Sequence, residues 1–228
     1  QVADGQSEVM VLELSSFQLD GIQNFRPNVA VLLNISPDHL DRYNYEYDKY
    51  KASKFRIIKN QNSEDVFVYN NFDKGIESYI SNVEIKSKKL PLGLLSGQHS
   101  EFDNLLIKGE HNLQNAKCAW LAVHHLVTEE ELEKGLSTFE AIKHRLQKVA
   151  EINGIEYVND SKATNVDAVY FALKSITKPT VWIVGGVDKG NDYYDLEDVV
   201  QNVKAIVCLG KDNEKLLNYY SDKIKNIK

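Results

Sequence analysis

Cysteine is scarce in this sequence, and other features that would define a protein class are missing. Among 228 residues there are two cysteines, Cys118 and Cys208, which lie far apart in apolar surroundings. This spacing predicts neither a disulfide framework nor a zinc site, and it favours a reducing, cytoplasmic environment. No apolar run reaches the length of a membrane span, so we expect no membrane insertion.

An excess of basic charge is also absent. Lysine and arginine total 27, aspartate and glutamate total 33, and the formal net charge is −6. This balance disfavours a general nucleic-acid-binding role. A phosphate-cradling loop of the Gly-x-x-x-x-Gly-Lys-Ser/Thr type does not occur anywhere in the sequence.

Strand-like and helix-like segments alternate along the first half of the chain, which predicts an α/β fold. Apolar runs at 9–14, 29–34 and 65–69 predict buried strands, and residues 47–59 show helical spacing. Such alternation is typical of a parallel sheet covered by helices. A parallel strand at 9–14 needs neighbours, so we expect further chain before it. Residues 74–108 carry no clear pattern, and helices are predicted from His111 and from Glu129.

After residue 145 the pattern restarts, which predicts a second α/β domain with its own sheet. Strands at 147–152 and 156–159 flank Asn153-Gly154, a typical two-residue hairpin turn. A helix at 167–175, a strand at 180–184, a helix at 196–202, a strand at 205–209 and a last helix follow. We therefore predict two domains, at 1–145 and 146–228. We also expect the sheet of the second domain to continue with a further strand after residue 228.

The loop after the strand at 29–34 is the most informative stretch. It delivers Asp38, His39, Asp41 and Arg42 together, at a strand end where α/β proteins place their chemistry. Instead of a functional role, His39 could have a structural one at the start of a helix, with its hydrogen bonds made to nearby residues. Lys54 follows fifteen residues later on a helix whose apolar neighbours predict partial burial. A buried lysine tends to lose its charge, and a neutral amine can react with carbon dioxide to give a carbamate.

Two further segments place polar side chains where chains turn. Glu13 ends the predicted strand at 9–14 and is followed by hydroxyls and an amide, although a capping serine is the plain alternative. Gly109-Glu110-His111-Asn112 enters a helix on which Asn112 and Asn115 share one face. Their amides could recognise a purine edge, whereas Asn112 could also be only the N-cap.

The strongest constellation of the second domain is Asn-Asp-Ser-Lys-Ala-Thr-Asn at 159–165. It offers an acid, a cation, side-chain donors and a helix N-terminus, which together make an anion site. The alternative is a polar turn in which Asn165 caps the helix. Gly185-Gly186 follows the next strand and permits a close approach of backbone, but it is weak as a motif.

Taken in this order, the segments resemble the Mur ligases over nearly the whole chain, least at 74–108. The segment Glu-Leu-Ser-Ser-Phe-Gln-Leu at 13–19 distinguishes the branches of the family. It resembles the corresponding segment of the ligases that add D-glutamate. The segments Asn-Ile-Ser-Pro-Asp-His-Leu-Asp at 34–41, Gly-x-His-Asn at 109–112, His-Arg at 144–145 and the stretch at 159–165 resemble shared family markers.

The resemblance implies an ATP-dependent amide ligase of peptidoglycan precursor synthesis in a bacterial cytoplasm. Residues 1–145 would be the central ATP-binding domain and 146–228 a Rossmann-like C-terminal domain. ATP would phosphorylate the alanyl carboxylate of UDP-N-acetylmuramoyl-L-alanine, and the amine of D-glutamate would attack the acyl phosphate. The implied cofactors are ATP, two Mg²⁺ ions and a carbamate on Lys54. We expect a monomer without a nucleic-acid partner.

The resemblance also implies roles for single residues. Glu13, His39 and Lys54, the last as a carbamate, would be catalytic and would hold Mg²⁺. ATP would be bound by Asn112, Asn115, Arg145 and Asp160. The substrates would be bound by Ser15, Gln18, His39, Lys162, Thr164 and Lys189, the last three on the side of D-glutamate.

Departures from the family leave alternatives open. The uridine-binding domain, the phosphate-binding loop that should precede Glu13 and the last C-terminal segment are absent from the sequence, so we expect negligible ATP turnover from these 228 residues alone. A sister ligase or a folylpolyglutamate synthase is the second hypothesis. A non-catalytic module of the same fold is the third, and the joint presence of Glu13, His39, Lys54 and Asp160-Ser161-Lys162 argues against it.

Overall fold

The computed structural model describes residues 9–97, 102–106, 109–140, 142–187 and 191–228, and it has the predicted α/β character. The helices are α1 (Ser16–Asp20), α2 (Tyr47–Phe55), α3 (Lys74–Ile80), α4 (Glu110–Val123), α5 (Glu129–Thr138), α6 (Val166–Ser175) and α7 (Glu214–Tyr220). The strands are β1 (Val29–Leu32), β2 (Val66–Tyr69), β3 (Lys88–Pro91), β4 (Gln147–Ile152), β5 (Ile155–Asn159), β6 (Thr180–Gly185) and β7 (Val203–Leu209). We call the elements through α5 the first unit and those from β4 onwards the second unit.

The first unit is built on a parallel sheet in the order β1-β2-β3. Because side chains alternate across a strand, neighbouring residues of the central strand β2 enter different cores. Phe67 packs with Tyr50 and Ile76 on one face, whereas Val68 packs with residues of α4 on the other. Phe67 and Val68 are both fully buried, as expected for a parallel sheet covered on both faces.

The second unit contains an antiparallel hairpin, β4-β5, and a parallel pair, β6-β7. Asn153 and Gly154 have φ angles of 52° and 76°, which is what a tight two-residue hairpin turn requires, so this prediction is confirmed. Helices α6 and α7 cover one face of β6-β7 through Leu173 and Leu216. Val181, on its other face, is 59% exposed.

Two predicted elements are wrong. Residues 9–14 form no strand, because β1 pairs only with β2 among the described segments, and Val11 is 89% exposed. Residues 196–202 form no α-helix: a 3₁₀ turn at Tyr194–Leu196 is followed by turns. The valines of this stretch lose side-chain freedom in a helix, which lowers its helix propensity.

The unclear stretch at 74–108 contains α3, β3 and a 3₁₀ turn at Leu92–Leu95. Strand β3 escapes a periodicity argument because it is only four residues long and begins with two exposed lysines. Within the described residues, no helix is both long enough and apolar enough to cross a membrane.

Candidate active site

Polar side chains of the first unit gather at the carboxyl end of its parallel sheet. Ile35 lies in the loop after β1; its N–H donates to Asp73 Oδ2 at 3.2 Å, and its carbonyl accepts from the Tyr47 hydroxyl. Asp73 Oδ1 in turn accepts from the N–H of Ile76 at 2.8 Å and so caps α3. One carboxylate therefore fixes both the loop after β1 and the helix after β2.

His39 lies in this loop with a left-handed backbone, φ 52°. Such a conformation costs a non-glycine residue about 1–2 kcal/mol. The N–H of His39 donates to Asp38 Oδ1 at 2.8 Å, and its imidazole Nε2 lies 3.8 Å from Asp38 Oδ2. The Phe17 ring of α1 meets the imidazole edge-on with centroids 4.9 Å apart, and the Arg42 guanidinium lies 4.6 Å over Phe17. The imidazole is thus held between a carboxylate and an aromatic ring.

Lys54 lies on α2 and is half-buried, as the sequence predicts. Burial lowers the pKa of Lys54, and the negative charges of Asp38 and Glu13 act in the opposite direction. Its Nζ lies 5.6 Å from the centroid of the Tyr50 ring. Glu13, Asp38 and Lys54 come from three different segments and lie close enough for the two carboxylate charges to act on the lysine, with His39 beside Asp38.

A partly buried polar network, which the sequence did not predict, holds α1 against α2. Asp20 accepts hydrogen bonds from Ser53 Oγ at 2.7 Å and from the Tyr43 hydroxyl at 3.0 Å. Ser53, the residue before Lys54, is buried, and its hydroxyl lies 3.0 Å from the carbonyl oxygen of Ser16 as well. Ser53 stands in the segment Lys-Ala-Ser-Lys-Phe at 51–55, which gives no signal of burial, and no periodicity argument assigns it a partner 33 residues away.

Ser15 and Gln18 form a capping box at the start of α1, so the plain alternative of a capping serine is observed. Ser15 Oγ accepts from the N–H of Gln18 at 3.3 Å, and Gln18 Oε1 accepts from the N–H and hydroxyl of Ser15, both at 2.9 Å. This reciprocal arrangement satisfies two donors that a helix start leaves unpaired.

The side chains near Lys54 fit a divalent cation only if the lysine is modified. In the part of the chain that the structure describes, no three His, Cys, Asp or Glu side chains are grouped closely enough to hold a metal. Mg²⁺ prefers oxygen ligands, which Glu13 and Asp38 can offer. A carbamate on Lys54 would replace a repelling cation with a further oxygen ligand, and His39 would supply nitrogen.

Helix α4 begins at Glu110, about one turn before the position it would have if Asn112 were its N-cap. Gly109 is the N-cap residue, with φ 114°, and Asn112 is the third helical residue, so that alternative is wrong. Asn112 and Asn115 are half-buried on one face. Between them, Gln114 Oε1 accepts from Asn70 Nδ2 at 3.0 Å and ties the helix to the end of β2, a contact that sequence reasoning missed.

The loop between β5 and α6 holds the residues predicted for the second unit. Asp160 Oδ1 accepts from the N–H of Leu146 at 2.9 Å. Burial raises the pKa of Asp160, while that hydrogen bond and the charge of Arg145 lower it. Asn165 Oδ1 accepts from the N–H of Ala168 at 2.9 Å, so the alternative of a helix cap is observed for Asn165.

The remaining predicted residues of the second unit differ in how far the structure describes them. Lys162 and Thr164 are exposed in the loop before α6. Lys189 lies outside the described residues. Gly185, at the end of β6, approaches the backbone of Leu209 closely, which accounts for one of the two glycines singled out in the sequence.

The two units meet near these loops. Ser36 Oγ donates to Asp167 Oδ2 at 2.7 Å, and the rings of His111 and Phe171 lie 5.1 Å apart. Burial lowers the pKa of His111, the charge of Arg145 lowers it further, and Asp167 raises it. The helix carrying Asn112 and the loop carrying Asp160 therefore lie near one another across the contact.

Comparison with known proteins assigns this arrangement to a class. A family model described as the Mur ligase middle domain matches residues 1–91, and one described as the Mur ligase glutamate ligase domain matches residues 144–226. Together the two models cover most of the chain, which belongs to the Mur ligase family. The boundary at residue 145 stays a prediction.

Relatives narrow the likeness within the family. The chain is 43% identical over 243 residues to the UDP-N-acetylmuramoylalanine--D-glutamate ligase of Christiangramia forsetii, covering 97% of this chain and 55% of that protein. It is 38% identical to the ligase of the same name from Porphyromonas gingivalis, covering 100% of this chain and 56% of that one. The chain thus spans about half the length of the relatives it matches.

Solved structures agree in fold. MurF from Acinetobacter baumannii superposes with a TM-score of 0.65 at 19% identity, over 89% of this chain and 50% of that one. Folylpolyglutamate synthase from Thermotoga maritima superposes with a TM-score of 0.57 at 14% identity, over 89% and 53%. At these identities the likeness establishes the α/β fold.

Proposed function

We propose that the protein carrying this chain is an ATP-dependent ligase that joins D-glutamate to UDP-N-acetylmuramoyl-L-alanine in peptidoglycan precursor synthesis. The observation that carries the proposal is the 38–43% identity, over nearly the whole chain, to ligases named for that reaction. The grouping of Glu13, Asp38 and Lys54 at the carboxyl end of the sheet supports it, because the reaction must neutralise phosphate and carboxylate charges.

Lys54 would act as a carbamate. Burial lowers its pKa, which raises the fraction of neutral amine that can attack carbon dioxide. The new nitrogen–carbon bond forms as the amine loses a proton to solvent, and the cation becomes an anion. Glu13, His39 and the carbamate would then hold Mg²⁺, which supplies charge neutralisation at the transferred phosphoryl group when bound.

The two units would bind different parts of the ligands. Asn112 and Asn115 would lie against adenine, and Arg145 and Asp160 would contact the ribose and phosphates. A MurF ligase from Thermotoga maritima, similar in fold at 15% identity and a TM-score of 0.59, was solved in complex with ADP. This supports ATP as the nucleotide.

The substrates would be bound from both sides of the contact. Ser15, Gln18 and His39 would face the nucleotide sugar. Lys162, Thr164 and Lys189 would bind the carboxylates of D-glutamate. Bringing the amine and the acyl phosphate together in this way converts a bimolecular step into one within a complex.

A substrate panel tests the proposal. The gene product that contains this chain is assayed for phosphate release with UDP-N-acetylmuramoyl-L-alanine and D-glutamate, L-alanine or meso-diaminopimelate, and separately with folate and glutamate. We expect turnover with D-glutamate alone. Preference for another amino acid would support a sister ligase, folate turnover a folylpolyglutamate synthase, and no turnover with any pair a non-catalytic module.

A pair of lysine variants on α2 separates the carbamate from simple charge. Lys54→Arg keeps the cation but cannot form a carbamate, and we expect kcat to fall by at least about 100-fold. Lys49→Arg is the matched control, since Lys49 is exposed and pairs with Glu46 at 2.7 Å on the same helix. Equal activity of both variants would contradict the role of Lys54.

Two further properties belong to the proposal. We expect a cytoplasmic, monomeric enzyme that does not insert into membranes. Light scattering of the purified gene product at working concentration would report its mass. A stable dimer would refute the monomer.

A further inference from the structure

The two units touch through one side of helix α6. Asp167 and Phe171 are four residues apart, which places them on the same side of the helix. Asp167 accepts the 2.7 Å hydrogen bond from Ser36, and Phe171 packs against the ring of His111. Ser36 lies in the loop after β1 and His111 in the first turn of α4, so one side of α6 meets two separate elements of the first unit.

The hydrogen bond joins parts that are fixed on both sides. Ser36 follows Ile35, which Asp73 and Tyr47 hold through its N–H and its carbonyl. Asp167 lies in the first turn of α6, where the helix dipole favours a carboxylate. Because neither end is a loose side chain on a mobile surface, the bond constrains the separation of the two units.

The charge of Asp167 also reaches other groups of the first unit. Burial, Asp73 and then Asp167 raise the pKa of Tyr47 to about 12. Asp167 raises the pKa of His111, against the effects of burial and of Arg145. The carboxylate of Asp167 therefore accepts from the hydroxyl of Ser36, and its charge acts on the Tyr47 phenol and the His111 imidazole, which belong to two further segments of the first unit.

We infer that Asp167 is a positioning residue that docks the second unit onto the first. Ser36 is three residues before His39, and His111 is next to Asn112. The docking contact therefore sets the loop at 159–165 relative to both of these segments. The inference rests on the proposed function only where it concerns the effect of docking on kcat. The docking of the two units can be measured without substrates.

Distance measurement in the gene product tests the docking. Spin labels are placed at Glu84 and Asp222, exposed residues in the first and second units. We expect Asp167→Ala to broaden and lengthen the distance distribution, with an approximately tenfold fall in the ratio of docked to undocked molecules. Asp167→Asn keeps an acceptor for Ser36 and should lose less.

Matched variants control for general damage. Asp198 accepts a 3.1 Å hydrogen bond from the Tyr170 hydroxyl within the second unit, so Asp198→Ala removes a comparable carboxylate and should leave the distribution unchanged. Ser36→Ala perturbs the bond from its other side and keeps the test available if Asp167→Ala fails to fold. The double variant of Ser36 and Asp167 should be no worse than Asp167→Ala, because both changes remove one bond.

The outcomes separate docking from chemistry. An unchanged distribution in Asp167→Ala and Ser36→Ala overturns the inference. A lower kcat in Asp167→Asn with an unchanged distribution would also overturn it, by assigning the carboxylate to the reaction itself. Broadened distances in a protein whose wild type has no ligase activity would support docking and refute only the proposed function.

Discussion

Gly185 and Gly186 offer a matched pair of substitutions at the end of β6. Both have φ angles that side chains rarely adopt, 155° and 140°. A methyl group added at Gly185 would lie 1.8 Å from the carbonyl oxygen of Leu209, its partner in β7, whereas one added at Gly186 would meet nothing within 4 Å. The two variants therefore share backbone strain, and only one adds a clash with backbone.

The magnitudes follow from this difference. Strain alone costs about 1–3 kcal/mol, which is the expectation for Gly186→Ala. The forced displacement of β7 adds about 1–3 kcal/mol to Gly185→Ala. With a urea dependence of about 2 kcal/mol per molar, the midpoint of Gly185→Ala should lie about 1 M below that of Gly186→Ala.

Urea unfolding followed by tryptophan fluorescence measures both variants. Trp182 lies in β6 and reports on the second unit, and a Trp120→Phe background removes the other tryptophan of these 228 residues. Coincident midpoints with equal slopes would refute the steric argument. They would mean that the β6-β7 pair tolerates a side chain where the structure has backbone in contact.

Two further predictions concern titration. Burial lowers the pKa of Lys54, so the folded state binds the lysine proton less tightly than the unfolded state does. The free energy of unfolding should therefore rise with pH between the lowered pKa and about 10.5, the pKa in the unfolded state. The Asp38→Asn variant should lower the pKa of Lys54 further, and competitive amine labelling measures that pKa. The Arg26 guanidinium lowers the pKa of Asp65, so Asp65 contributes stability above its usual value near 4 that is lost as pH falls through the folded value. Arg26→Met should weaken this acid dependence in unfolding curves recorded at pH 2–6, and an unchanged slope would contradict it.

The α/β class and the gathering of the site at strand ends could be predicted because both depend on local pattern. Apolar runs mark β1 and β2, and the carboxyl ends of parallel strands must share one edge of the sheet. The hairpin turn at Asn153-Gly154 could also be predicted, because asparagine and glycine are the residue types that adopt the positive φ angles of such a turn.

Contacts between distant residues could not be predicted in this way. Ser36 and Asp167 are 131 residues apart, and neither stands out from its segment. In the network of Asp20, Tyr43 and Ser53, Tyr43 and Ser53 are buried and Asp20 is partly buried, although polar residues on a helix suggest exposure. In both cases tertiary packing decides which polar groups become partners, and a single sequence records only the groups.

The capping box at the start of α1 restricts what kind of chemical group can approach it. Gln18 Oε1 already accepts two hydrogen bonds from Ser15, which occupy both of its lone pairs. The hydroxyl hydrogen of Ser15 is used in the same way, so Ser15 can only accept, and Gln18 can only donate through its amide nitrogen. While the cap is intact, Gln18 can pair with phosphate or carbonyl oxygens and cannot pair with an ammonium group. If Gln18 binds the nucleotide sugar as proposed, the motif that begins this five-residue helix would also decide, by hydrogen-bond polarity, which group of the substrate pairs with it.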